Sequence, residues 1–76
     1  MTTGYSIRLQ NANRRADDSN AGVRLGRVCI ERDIPVTTVA RHLGVSRATV
    51  YNWFCGVSAP QTTTIDLIES YLSSLE

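Results

Sequence analysis

Lysine is absent from this chain: all eight of its basic residues are arginine, and the last of them is Arg47. Long apolar runs are missing too. No stretch approaches the roughly 20 apolar residues that a membrane-spanning helix needs. No charged start leads into an apolar segment and a small-residue cleavage site, which argues against secretion. The expectation is a cytoplasmic protein with no membrane partner. Cysteine is scarce and scattered. Cys29 and Cys55 form neither a CxxC pair nor a cluster with the only histidine, His42. Three dispersed ligands are too few for a structural zinc site, so no metal and no cofactor are expected. A single disulfide is one reading of the two cysteines; two reduced, half-buried thiols are the blander one and suit a cytoplasmic chain. His42 has no nucleophile or carboxylate arranged with it, so the chain is not expected to be an enzyme.

What is present suffices for one small domain. The 76 residues are 42% hydrophobic, enough for a limited core. The net charge is only +1, but it is unevenly spread. Residues 1–50 carry all eight arginines against Asp17, Asp18, Glu31 and Asp33, a balance of +4. Residues 51–76 carry Asp66, Glu69 and Glu76 and no basic residue, a balance of −3. A positive side of this kind steers a small protein toward phosphate. Arginine also suits bidentate contacts to phosphate or guanine better than lysine does.

The first 20 residues differ from the rest. "NANRRADDSNAG" is polar and without a sustained period, and reads as part of a flexible arm over 1–20. Within it "YSIRL", residues 5–9, alternates apolar and polar and fits a short strand, which would need a partner. Arg14 and Arg15 are candidates to enter a minor groove from such an arm. Solvated disorder is the competing reading, favoured by the adjacent Asp17 and Asp18.

Residues 21–76 read as an all-α domain of four helices. The first spans about Gly22 to Arg32, with Val23, Leu25, Val28, Cys29 and Ile30 at helical spacing, and Asp33-Ile34-Pro35 ends it. The second spans about Val36 to Leu43, with Pro35 suited to its first turn and Val39, Ala40 and Leu43 inward. Gly44 ends it in a left-handed turn. Ser46 caps the third, Arg47 to about Cys55, which Gly56 stops. After a loop, "VSAPQ", Thr62 or Thr63 caps the fourth, with Asp66 completing a capping-box pattern from Thr63. Its apolar positions are Ile65, Leu67, Ile68, Tyr71, Leu72 and Leu75.

Two short helices joined by a three-residue, Gly-containing turn make a helix-turn-helix, here at about 36–55. Ala40 is small where the helices cross, Val45 plugs the gap under the turn, and Val50 and Trp53 anchor the third helix. Arg47, Ala48, Tyr51 and Asn52 are left facing outward. Arginine pairs with guanine O6/N7 and asparagine with adenine N6/N7, and Ala48 is small enough to approach a thymine methyl. Tyr51 either stacks on sugar-phosphate or covers the core edge. Ser46 and the N–H groups at the helix start suit a phosphate. The bland reading of the same residues is an ordinary solvated helix face.

"VARHLGVSRATVYNWFCGVSAP" resembles the helix-turn-helix of the Cro and lambda-repressor family. The likeness rests on VA at 39–40, LGVS at 43–46 and the W-x-x-G-x-x-x-P spacing of Trp53, Gly56 and Pro60, and extends over roughly residues 23–72. "GVSRATVY" is also similar to the DNA-binding tail of site-specific recombinases, but the Trp-Gly-Pro spacing favours the repressor type. The resemblance implies a lambda-repressor-like fold, double-stranded DNA as partner, and base reading by Arg47, Ala48 and Asn52; Tyr51, on the same outward face, is a further base-reading candidate from its position alone. It implies phosphate contacts at the start of the second helix and in the turn, where Thr37, Thr38 and Ser46 stand; Thr49 is a further phosphate candidate. Arg41 and His42, on the outer side of the second helix, are further phosphate candidates or plain surface residues. The implied role is a sequence-specific transcriptional regulator, repressor-like, of a bacterium or its phage.

The chain departs from the family at three points. The Gln that often starts the second helix and bonds phosphate is replaced by Val36, which passes that contact to Thr37 or Thr38. The helix 1 Arg and helix 3 Glu that many relatives pair in the interior are replaced by Cys29 and Phe54. Losing both partners strands no buried charge, so these two are expected to pack together. The family's fifth helix, often its dimer contact, has no counterpart after the fourth. The apolar stripe of the last helix is wider than the roughly 100° one small core uses, and Leu67, Tyr71 and Leu75 are therefore candidates for a homodimer contact. Two alternatives stay open: a DNA-architectural or recombination accessory protein of the excisionase sort, and a protein-binding module that inhibits or recruits a partner such as a polymerase.

Overall fold

The computed structural model describes residues 5–75, which form five helices and, among those residues, no strand. They are α1 (Ile7–Arg15), α2 (Ala21–Arg32), α3 (Val36–Leu43), α4 (Arg47–Phe54) and α5 (Thr62–Ser74). The four expected helices are α2 to α5. The added helix is α1.

The expected arm and strand are therefore corrected over residues 5–20; residues 1–4 of the arm lie outside the described residues. Ser6 caps α1, its hydroxyl accepting a hydrogen bond from the Leu9 amide at 3.1 Å. Few apolar side chains anchor this segment: Tyr5, just before α1, and Leu9 in its first turn are buried, whereas Ile7 is 71% exposed. Its other buried residue is Asn13. The Asn13 amide donates to the carbonyl oxygens of Val23 at 3.1 Å and Phe54 at 2.7 Å. The Phe54 carbonyl belongs to the last turn of α4, where no helical partner exists for it. Burial of a polar side chain costs little when its hydrogen bonds are made this way. The Tyr5 hydroxyl donates to the Ile34 carbonyl, and its ring lies 6.1 Å from that of Phe54. Thus α1 is held by both ends against the rest of the core.

Helix α2 occupies the middle, packed against α1, α4 and α5. Its close approach to α4 depends on two glycines. A Cβ at Gly22 would stand 2.5 Å from Trp53 Cβ, and one at Gly26 would stand 2.6 Å from Asn13 Nδ2 and 2.8 Å from Phe54 Cγ. Asn20 caps α2 through the Gly22 amide at 2.8 Å, and its own amide donates to the Ser58 carbonyl at 3.1 Å, tying down the loop before α5. The helix ends as expected at Asp33, which takes a left-handed conformation (φ 57°). The Ile34 amide then closes on the Cys29 carbonyl at 2.8 Å.

Cys29 and Phe54 are both fully buried in one cluster with Leu25, Val39, Val50, Trp53 and Ile68. Both cysteines are free thiols, and burial pushes the Cys29 pKa up to about 12. The start of α5 differs from expectation. Gln61 is the N-cap and makes no side-chain cap hydrogen bond, so the Thr63–Asp66 box is not what starts the helix.

Candidate nucleic-acid interface

Helices α3 and α4 are joined by Gly44, Val45 and Ser46. Gly44 ends α3 at φ 71°, a conformation that an L side chain resists. The Val45 amide donates to the Ala40 carbonyl at 3.0 Å, and the Val45 side chain packs against the core below the turn. Ser46 caps α4 by accepting from the Thr49 amide at 3.1 Å. Its hydroxyl also pairs with that of Thr49 at 2.9 Å. One hydroxyl proton of the pair serves that bond, which leaves the other for an outside acceptor.

Helix α4 divides cleanly. Val50 and Phe54 are fully buried and Trp53 nearly so, while Arg47, Ala48, Tyr51 and Asn52 are exposed, Tyr51 by 44%. The Arg47 guanidinium and the Asn52 side-chain amide have no hydrogen-bond partner among the described residues. Tyr51 stands between two grooves. One is lined by Pro35, Val36, Thr37 and Arg47, together with Tyr5 and Asp33. The other is lined by Tyr5, Ser6, Arg8, Leu9, Ala12 and Cys55.

Of the residues expected to meet phosphate, Thr37, Thr38, Arg41 and Ser46 are exposed and Thr49 is half-buried. Thr37 shares a groove with Arg47, and Arg41 follows it by one turn on the same edge of α3. Thr38 lies on the other edge with His42, whose ring is 4.5 Å from that of Tyr71 on α5. The structure thus brings Thr37 to the start of α4 and turns Thr38 away from it.

Two other groups of site residues are placed differently from expectation. Arg14 and Arg15 form the last turn of an ordered helix rather than an arm, because Asn13 is pinned beside them. Arg14 lines a groove between α1 and α2, with Arg27 and Glu31, on the flank of α1 away from α4. On α5, Tyr71 is buried in the core of the single chain, and that burial raises its phenol pKa. Leu75 is half-buried, and its carbonyl accepts from Arg32 Nη1 at 2.6 Å. Of the three self-association candidates, Tyr71 is thus taken into the core, Leu75 stays partly exposed and Leu67 is 53% exposed. The wide stripe is explained by α5 lying in the angle between α2 and α3, so that two of its sides are covered.

Charge completes the picture. Arg24 pairs with Glu69 at 2.8 Å, Arg27 with Asp18 at 3.2 Å, and Arg32 with the Leu75 carbonyl. The guanidinium groups of Arg8, Arg14, Arg15, Arg41 and Arg47 have no such partner among the described residues. Arg8 is the surface residue that the sequence reading passed over. A serine cap followed by nine residues free of glycine and proline was the available signal, and it would have placed Arg8 on a helix. No metal-binding cluster of His, Cys, Asp or Glu occurs among the described residues, and no helix there is long and apolar enough to cross a membrane.

Compared with protein-family models, curated proteins and solved structures, the chain matches none.

Proposed function

We propose that this chain is a sequence-specific DNA-binding regulator of transcription that inserts α4 into the major groove. One observation carries the reading. Helix α4 commits Val50, Trp53 and Phe54 to the core and presents Arg47, Ala48, Tyr51 and Asn52 outward, with the Arg47 guanidinium and the Asn52 side-chain amide unpaired among the described residues. A guanidinium on an exposed helix start matches the O6/N7 edge of guanine, and an amide five residues further along matches the N6/N7 edge of adenine. Ala48, between them, lets the helix approach closely. Thr37 and the Ser46–Thr49 hydroxyl pair supply neutral donors to the flanking phosphates.

The mechanism is occupancy: a bound protein covers its site. A single module of this size buries about 600–1,000 Å² on DNA. A second copy on a half-site one helical turn away would multiply affinity and specificity. Most of the affinity is electrostatic and falls with salt.

The test is selection of bound duplexes from a random pool at two salt concentrations, with Arg47→Ala in parallel. The expected result is a defined site that the wild type prefers and the variant no longer distinguishes, at a cost of about 1–3 kcal/mol. Two half-sites in the selected sequence would report a dimer. Absence of binding at low salt, or a preference untouched by Arg47→Ala, would overturn the reading and turn attention to a protein partner for the same face.

A further inference from the structure

We infer that Arg8 of α1 binds a DNA backbone phosphate beside the groove that α4 enters, so that the DNA interface includes a helix outside the helix-turn-helix. The inference rests on the function proposed above and extends it to a second element.

The placement of α1 is the first support. Asn13 bonds the carbonyl at the end of α4, and Ala16 packs at Gly56, where a Cβ would come within 3.0 Å of Ala16 Cβ. At the other end Tyr5 reaches the Ile34 carbonyl and the Phe54 ring. These contacts hold α1 against the C-terminal end of α4. Arg8 is then set across a groove from Tyr51 and Cys55. On the far side of Tyr51 lie Arg47 and Thr37. The exposed tyrosine is therefore flanked by two arginines from different helices.

Chemistry supplies the second support. Arg8 is exposed and its guanidinium is unpaired among the described residues. The first turn of α1 contains no acidic residue, and no carboxylate lines the groove between Arg8 and Tyr51. The arginines of α2, by contrast, are engaged with Glu69, Asp18 or the Leu75 carbonyl. An unpaired arginine beside a base-reading face, set back from it on a second helix, reaches the phosphate strand rather than the base edges. Contacts of that kind fix position and add affinity without adding sequence preference. The planar guanidinium fork fits two phosphate oxygens at once.

The experiment measures the slope of log Kobs against log salt on the selected duplex and on a scrambled one. Wild type is compared with Arg8→Ala, Arg8→Lys, Arg47→Ala and, as a control from the paired set, Arg24→Ala. Thermal melts confirm that each variant is folded. Arg8→Ala is expected to weaken binding to both duplexes alike, about tenfold at low salt, and to reduce the slope by about 1. Arg8→Lys should restore the slope, because the charge returns. Arg24→Ala should leave the slope unchanged. A slope for Arg8→Ala equal to wild type, with Arg47→Ala still losing the preferred site, would sink the role of α1 and leave the α4 reading standing. If the wild type shows no salt-dependent binding to either duplex, both fall.

Discussion

The three arginines of α2 and the five on α1, α3 and α4 carry the same group in two different situations. On α2 the groups face other parts of the protein. Arg27 is the fullest case. Besides Asp18 it donates to the carbonyls of Asn13, Arg14 and Ala16 at 3.4, 3.3 and 3.0 Å, at the C-terminal end of α1 where helical partners run out. Arg24 bridges to α5 and Arg32 to its C-terminal end. The other five are exposed, and their guanidinium groups have no ion pair or hydrogen bond among the described residues. The difference separates arginines that hold the fold from arginines available to something else. Composition and net charge alone do not make that separation, because they count all eight together.

The comparison is broken most severely by removing the core that both groups hang from. Phe54→Ala should cost about 3–5 kcal/mol in urea denaturation, enough to unfold much of so small a domain. The proposed DNA binding should be lost with it. Arg27→Ala should sharpen the contrast instead. It removes the donor to the Arg14 and Ala16 carbonyls at the end of α1 and is expected to cost about 1–2 kcal/mol of stability, with the DNA salt slope unchanged below its melting temperature.

A pH sweep tests the core without discharging either set, since arginine stays protonated throughout. Burial raises the Cys29 thiol from an ordinary 9.0 to about 12, and burial raises the Tyr5 phenol as well. Both groups are neutral in the fold and ionise first in the unfolded chain. The stability they contribute is complete below pH 9 and is lost as pH rises toward 12. Between pH 9 and 10 the thiol alone should account for a loss of about 1 kcal/mol, read from denaturation midpoints. The smallest effect belongs to Arg24→Ala. Its pair with Glu69 has both side chains about half exposed, so solvent screening limits its worth to about 0.2–1 kcal/mol.

The segment from Pro35 to Gly56 was the most legible part of the chain. Its boundaries are set by neighbours in sequence: a proline before α3, a glycine able to take φ 71°, and a serine whose hydroxyl reaches the third amide along. Inward and outward residues of α4 followed from helical spacing. Helix α1 was not legible, because its buried face holds an asparagine. That side chain is tolerable inside only because two carbonyls, 10 and 41 residues away in the chain, accept from it. Helix α5 was legible as a helix but not in its role. A stripe on two sides looks the same in sequence whether a second chain or the same chain covers it. Here α2 and α3 cover both sides, and Tyr71 is drawn inward beneath His42.

By itself, then, the sequence determined the helical class, the turn between α3 and α4, and which side chains of α4 face out. Those outcomes depend on sterics and hydrogen bonds that close within one or two turns. Only the tertiary structure decided that α1 is a helix set against α4, that Tyr71 belongs to the core, and that Arg8 stands beside Tyr51. Each of these pairs groups far apart in the chain, and such pairs are chosen by the packing of the whole core rather than by any local pattern.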